Sequence, residues 1–254
     1  MRSKIQQCIL FLSLSAASIY SVNANPLISK LDDFTAHYNI VHDGDIVGKG
    51  KRQLTHLDDG SIDFSYQTEI EWFIFEDQRE EFTNVRIIND TVIPNSYKST
   101  RKGTGKDKFY HWQYNAEQQS ITNLKKKSSK PTLIKWPEGL QSKLSYHLQT
   151  RLNLINGVND FDFEVINTSG KIKTYHYEYV GKEEIMLPFG VINTVKLQRK
   201  KINSEQVTYV WLAPELDFAM VKLHQIDGSL KQFHAELYDF NGSQSLAEYK
   251  NQSK

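Results

Sequence analysis

The stretch Ser61–Phe75, SIDFSYQTEIEWFIF, decides the fold. Ile62, Phe64, Tyr66, Thr68, Ile70, Trp72 and Ile74 fall on one side of a two-residue repeat. Ser61, Asp63, Ser65, Gln67, Glu69 and Glu71 fall on the other. That period puts successive side chains on opposite faces of a β-strand, one apolar and one wet. Fifteen residues at ~3.3 Å each would reach roughly 50 Å, against a usual strand of about five or six residues. A strand of that length must bend or carry a bulge, which favours a large curved sheet over a small sandwich. At its end, Trp72-Phe73-Ile74-Phe75 is apolar on both faces, so this end is expected to be covered on both sides.

Strand-like alternation continues in both directions. Upstream, Phe34, Ala36, Tyr38 and Ile40 alternate with Asp33, Thr35, His37 and Asn39, and Ile46 to His56 returns after a turn at His42–Asp45. Leu57-Asp58-Asp59-Gly60 is a hairpin signal, because Asp-Gly readily adopts the backbone angles of a tight turn. Downstream, strands are expected at 78–88, 91–101, 106–115 and 120–124, then at 160–167, 171–181, 191–200, 205–213, 217–226 and 230–240. The short connections imply antiparallel neighbours.

Pro137–Ile155, PEGLQSKLSYHLQTRLNLI, breaks the pattern. Leu140, Leu144, Leu148 and Leu152 recur every fourth residue and would share one face of a helix. On that reading Gln141, Lys143, Gln149 and Arg151 stay wet. The expected fold is therefore mainly β: a single curved antiparallel sheet or incomplete β-barrel, with one amphipathic helix packed on its concave side.

The first 24 residues have the makings of an export signal. Arg2 and Lys4 precede an apolar run, Cys8 to Tyr20, and Val22-Asn23-Ala24 offers small side chains at the cleavage-reading positions. The run is shorter than the ~20 residues a membrane span needs. Cleavage after Ala24 removes two bases and no acid, so the formal charge falls from +1 to −1. It also removes Cys8, the chain's one cysteine, so the exported chain holds no disulfide. Residues 25–240 read as a single β-rich domain and 241–254 as a polar tail. The signal's style suits a bacterial envelope better than a eukaryotic secretory route, with no membrane span left after cleavage. Near-zero charge and the compartment argue against nucleic acid.

Charge is unevenly placed. Residues 58–90 carry ten acids and two arginines, whereas residues 98–135 carry ten bases and two acids. Neighbouring hairpins of opposite sign neutralise each other across a sheet. The alternative is an anion patch of Lys98, Arg101, Lys102, Lys125, Lys126 and Lys127, flanked by Lys106 and Lys108, that would meet an anionic envelope surface.

Catalytic motifs are missing. There is no Gly-x-Ser-x-Gly, His-Glu-x-x-His or Cys-x-x-Cys. Gly103-Thr104-Gly105-Lys106 lacks the first glycine and the final hydroxyl of a phosphate loop and reads as a hairpin tip. Asp160, Asp162 and Glu164 could hold a hard cation but fit the wet face of a strand. His224 and His234 would approach across a hairpin, without a third zinc ligand nearby. Tyr175, Tyr177 and Tyr179 share a face that fits either a core or a cavity wall. No catalytic, cofactor or metal residue is assigned.

In the second half, Leu144-Ser145-Tyr146, Leu187-Pro188-Phe189-Gly190 followed by Val191 to Arg199, Thr208-Tyr209-Val210-Trp211-Leu212-Ala213 and Met220-Val221-Lys222-Leu223 come in a recognisable order. So does the opening Phe34-x-Ala36-x-Tyr38 with Gly44 and Gly48. Together they resemble the family called domain of unknown function 3108, exported proteins of Gram-negative bacteria, over roughly Phe34 to Phe240. Ala219 stands where a proline is expected. The resemblance implies the compartment and a β-rich fold, and it transfers no catalytic residue. The outline is also similar to periplasmic lipoprotein carriers of the LolA and LolB type.

Three functions stay open. One is a non-enzymatic envelope protein holding a lipidic ligand or lipid-modified partner between helix and sheet, lined by Trp72, Phe73, Phe75, Leu144, Leu148 and Trp211. Another is a scaffold that uses the basic segment. The last is an envelope-polymer hydrolase using Glu69, Glu71, Asp160, Asp162 or Glu164. Whether the helix is a core plug or a lid over a cavity separates them.

Overall fold

A computed structural model describes residues 30–125, 128–200, 206–227, 230–243 and 246. The expected signal segment, most of the expected tail, Lys126 and Lys127 lie outside the described residues.

The strands are β1 (Phe34–His42), β2 (Asp45–His56), β3 (Ile62–Trp72), β4 (Phe75–Ile88), β5 (Thr91–Gly103), β6 (Lys108–Asn115), β7 (Ser120–Asn123), β8 (Thr132–Leu133) and β9 (Gln141–Ser142). A helix, α1 (Tyr146–Ile155), follows. Then come β10 (Phe161–Ile166), β11 (Ile172–Leu187), β12 (Gly190–Lys200), β13 (Val207–Ala213), β14 (Ala219–Asp227) and β15 (Leu230–Gly242). The fold is mainly β, with α1 and a short 3-10 helix at Pro214–Leu216.

All fifteen strands form one sheet, in the order 8-7-6-5-4-3-2-1-15-14-13-12-11-10-9. Two antiparallel meanders are thus joined where the first strand pairs with the last. Asn241 and Gly242, expected in the tail, complete that joint by pairing with Thr35 and Phe34. Among the described strand pairs, β9–β10 alone is parallel. Bulges at His37/Tyr38, Asn84/Val85, Tyr179/Gly181 and Trp211/Leu212 interrupt the ladders. Such bulges bend a strand and increase its twist.

The sheet curls into a barrel that does not close by strand pairing. Beside β5, β6 covers only Ser96–Arg101, which leaves the β5 edge at Val92 without a strand neighbour. Side chains finish it. Gln149 Oε1 accepts from the Val92 N–H (2.7 Å), and Gln141 Nε2 donates to the Val92 carbonyl (2.8 Å). Thr83 and Ser142 share a buried hydroxyl–hydroxyl bond at 3.2 Å. At the other part of the seam, Trp112 Nε1 donates to the Thr168 carbonyl at 3.1 Å. Bonding the free edge in this way satisfies backbone groups that would otherwise be costly to bury.

The helix starts nine residues later than its leucine spacing suggests. Gly139 sits at φ +65°, and residues 141–142 are drawn into the sheet as β9. Ser142 and Ser145 then bond each other's backbone: Ser142 N–H to Ser145 Oγ (2.8 Å) and Ser145 N–H to Ser142 Oγ (2.9 Å). Local hydroxyl–backbone bonds of this kind compete with helix formation. The expected wet face is also corrected. Gln141 and Arg151 are buried, because the seam needs the glutamine and Arg151 donates from Nε to the Asp217 carbonyl (2.8 Å) while lying 4.9 Å from the Phe34 ring.

Leu144, Leu148 and Leu152 pack inside the sheet with Phe34, Tyr38, Leu54, Phe64, Leu197 and Leu237. The helix is a core plug along this face.

Candidate functional site

Above the N-terminal end of the plug the interior is not filled. A cavity of about 180 Å³ lies there. Register across the sheet builds its walls. On one side, Arg52 on β2 pairs with Tyr66 on β3, which pairs with Glu81 on β4. On the other, Tyr177 on β11 pairs with Arg199 on β12, Arg199 with Thr208 on β13, and Thr208 with Gln225 on β14. Lys143, Leu144, Tyr146 and His147, at the helix entrance, come between the two belts. A neighbouring space beneath the helix shares Arg52, His147, Tyr177 and Val210 as walls but measures only about 20 Å³.

The cavity is cationic. Its acid, Glu81, is already engaged: Tyr97 donates to it at 2.6 Å, and the Lys143 ammonium lies 3.6 Å away. Neither Arg52 nor Arg199 has a carboxylate partner among the described residues. Arg52 is 7 % exposed, and its Nε–H, fully enclosed, donates to nothing. Its guanidinium lies 5.3 Å from the Tyr66 ring. Arg199 lies 4.8 Å from the Tyr175 ring and reaches the Thr208 hydroxyl at 3.4 Å. Aromatic faces attract guanidinium groups but do not neutralise them. Withdrawing charge from water is costly unless it is paired and hydrogen-bonded.

The same field acts on His147, whose ring stacks on Tyr146 at 4.1 Å. Burial first, then Arg52, Arg199 and Lys143, hold its pKa well below the usual histidine value. Burial likewise holds the Tyr146 phenol well above its usual value. A depressed folded-state pKa makes a definite prediction. The unfolded chain protonates His147 near its ordinary pKa of 6.5 and the folded chain resists. Stability is therefore complete above that value and lost as pH falls through the depressed one. Denaturant midpoints measured between about pH 7.5 and pH 5 should fall for the native chain. They should fall less for His147→Gln. Equal slopes for the two chains would mean that His147 takes up its proton as easily folded as unfolded.

The residues expected to line a ligand site are scattered. Leu144 lines the cavity, and Leu148 is buried in the plug. Trp72, Phe73 and Phe75 do not reach the interior site. The long strand ends at Trp72 and reverses through a two-residue turn, Phe73–Ile74, so this end is a hairpin tip and not a covered strand. Trp211 points away from Val210, which lines the cavity. Its ring lies against Lys196 and Lys222, and its Nε1–H donates to Glu183. Strand alternation puts the tryptophan on the outer face.

The expected anion patch is split. Arg101 donates to buried Asp77 at 2.9 Å, and Arg79 holds the same carboxylate at 2.7 Å. Lys98, Lys102 and Lys125 are exposed, and Lys126 and Lys127 are not described. The β4–β5 ladder brings the acidic and basic segments side by side.

The candidate carboxylates do not converge. Glu69 accepts from Gln78, Asp162 sits 2.7 Å from His176, Glu164 accepts from Thr174 and Asp160 accepts from the Tyr179 N–H. None of the five is buried. His224 and His234 are cross-strand partners with ring centroids 5.9 Å apart. Among the described residues no group of three or more His, Cys, Asp or Glu gathers as a metal site requires. No described helix is long and apolar enough to cross a membrane.

Arg52 and Arg199 were readable as anomalies. Arg52 shares its strand face with Gly50 and Leu54, and Arg199 shares its face with Val195 and Leu197. A charge on the apolar side of a period-two pattern is the signal. The tyrosine face of β11 supplies Tyr177 to the wall.

The family model for proteins of unknown function, DUF3108, matches residues 34–232. The chain belongs to the DUF3108 family. No curated protein matches it. Among solved structures, this DUF3108 chain is similar to a β-barrel-like protein of the DUF1849 family from Brucella abortus, at 8 % identity and a TM-score of 0.54. That match covers 84 % of this chain and 99 % of the other. Such a likeness shows the fold alone. A "putative lipoprotein" from Parabacteroides distasonis matches at 11 % identity over 84 % of this chain and 96 % of its own, with a TM-score of 0.31. At that level the likeness carries no argument.

Proposed function

We propose that this DUF3108 protein is exported, with its signal removed after Ala24, and works in the periplasm as a non-enzymatic binding protein for an anionic group. Arg52 and Arg199 hold the anion in the 180 Å³ cavity. The observation that carries this reading is the pair of interior guanidinium groups without carboxylate partners, with Arg52 Nε left unbonded. An oxyanion offers the missing acceptors, and guanidinium forks match phosphate and carboxylate geometry. The N-terminus of α1, with its positive end of the helix dipole, lines the same space. The ligand is small or binds by its headgroup. The space compares with the roughly 150 Å³ of a cavity that accepts benzene, and the helix occupies the region an acyl chain would need.

Titration calorimetry with inorganic phosphate and with short-chain phosphatidic acid tests this and separates a free anion from a lipid headgroup. Arg52→Met and Arg199→Met should each weaken binding by roughly tenfold or more, the equivalent of one charge-assisted hydrogen bond of about 1.5–3 kcal/mol. The melting temperature of Arg52→Met should stay level or rise, because removing an unpaired buried charge relieves its desolvation. Failure of both ligands to bind, or undiminished binding by both variants, would overturn the reading. Bound anion should also raise the His147 pKa, observable in its ring proton shifts.

A further inference from the structure

A second feature lies at the rim of the barrel, where β3 turns into β4. Phe73 and Ile74 make a two-residue turn between Trp72 and Phe75. They are 91 % and 94 % exposed. Phe73 adopts φ +53°, a region where a bulky side chain is an outlier and where hairpin turns favour Asn, Asp or Gly. The turn therefore carries two large apolar side chains in water and a strained aromatic position. Neither benefits the isolated fold.

The tip is held in place. Thr104, on the β5–β6 loop, donates its N–H to the Glu76 carbonyl at 2.8 Å and its hydroxyl to the Ile74 carbonyl at 3.2 Å. Gly103 allows that approach: a Cβ there would sit 2.2 Å from the Glu76 oxygen. Beneath the tip, Trp72 packs edge-on against His42 at 4.6 Å and against Phe73 at 5.1 Å. Ile46, on the adjoining hairpin, is also exposed.

We infer that this rim is a membrane-contact wedge, in which Phe73 and Ile74 insert into a zwitterionic lipid surface and Trp72 sits at headgroup level. The projecting shape matters. A protruding pair of apolar side chains is covered only by a matching pocket or by a deformable medium, and lipid is such a medium. Tryptophan favours the boundary between apolar and wet regions. The surrounding charge selects the lipid. Lys102, Lys106 and Lys108 share this end of the barrel with Glu71, Glu76 and Asp107, and with Asp43 and Asp45 on the neighbouring turn. A mixed collar with a slight acidic excess gives no attraction to an anionic surface.

Vesicle flotation of the full chain tests the wedge. Vesicles of phosphatidylcholine should retain it equally at low and high salt. Phe73→Asn combined with Ile74→Gly should reduce retention by roughly tenfold or more, the fold-change expected when large apolar side chains no longer leave water. Its melting temperature should hold, because asparagine accepts the φ of +53° at position 73 more readily than phenylalanine does. Ile74→Ser alone, which leaves the strained position in place, should give a smaller loss. Three results would overturn the inference: no retention on phosphatidylcholine, undiminished retention of the double variant, or retention confined to anionic vesicles and abolished by salt. Self-association of the native chain that disappears in the double variant would instead assign the tip to a contact between copies.

Discussion

Leu148→Ala should destabilise the fold by about 2–5 kcal/mol, with the upper part of that range expected. Leu148 and Leu152 are each 0 % exposed and stand one above the other on α1. The helix has ten residues, no side-chain cap and no acid in its first turn. A helix that short is marginal alone in water, so its stability comes from the leucines that seat it. Truncating one leaves a cavity beneath a plug whose bonds through buried Gln141 and Arg151 and half-buried Gln149 cannot shift to fill it. Urea unfolding would show a lower midpoint with an unchanged slope. A loss below about 1 kcal/mol would mean that the helix collapses into the gap like a loosely held lid.

Trp112→Ala should cost a similar amount, about 3–5 kcal/mol, and its effect should be local first. Trp112 is 8 % exposed. It stands on β6, toward one end of the strand order, and reaches the Thr168–Gly170 turn that joins β10 and β11, toward the other end. The ring lies so close to Gly170 that a Cβ there would meet Cη2 at 2.8 Å. Among the described residues no ladder of backbone bonds crosses the seam between these ends, so side chains latch it. Amide exchange should quicken in β6, β7 and β10 before it changes in β1 and β2. Trp112→Phe keeps most of the apolar contact and loses the hydrogen bond, so it should cost less. Uniform exchange across the barrel would show that the seam opens only with global unfolding.

Most strands were legible from period-two alternation, since a half-buried sheet imposes that repeat on its sequence. Two errors share a cause. Residues 137–145 and 73–74 carry apolar side chains, but their backbone conformations are set elsewhere: by the Ser142–Ser145 bonds and the β9 pairing in one case, and by the braced turn in the other. Phe73-Ile74 lacks the Asn or Gly that marks a hairpin, so alternation ran on through it. Trp211 misled in a related way. It was expected to line a ligand between helix and sheet, whereas its neighbours Val210 and Leu212 take the interior and Trp211 is buried on the outer face against Lys196, Lys222 and Glu183.

The sequence by itself determined that this chain is mainly β, that its sheet is large, that one helix interrupts it and that it belongs with DUF3108. Those properties follow from short-range periodicity and from motifs contiguous along the chain. Only the tertiary structure decided that the helix is a plug and that Arg52 and Arg199 share a cavity while Phe73 and Ile74 project from the rim. Arg52 and Arg199 lie on strands of different meanders, brought together by the β1–β15 joint and by the accumulated twist of the strands between. No local pattern encodes that sum, so two inward arginines read as isolated anomalies until the sheet is curled and they meet across one space.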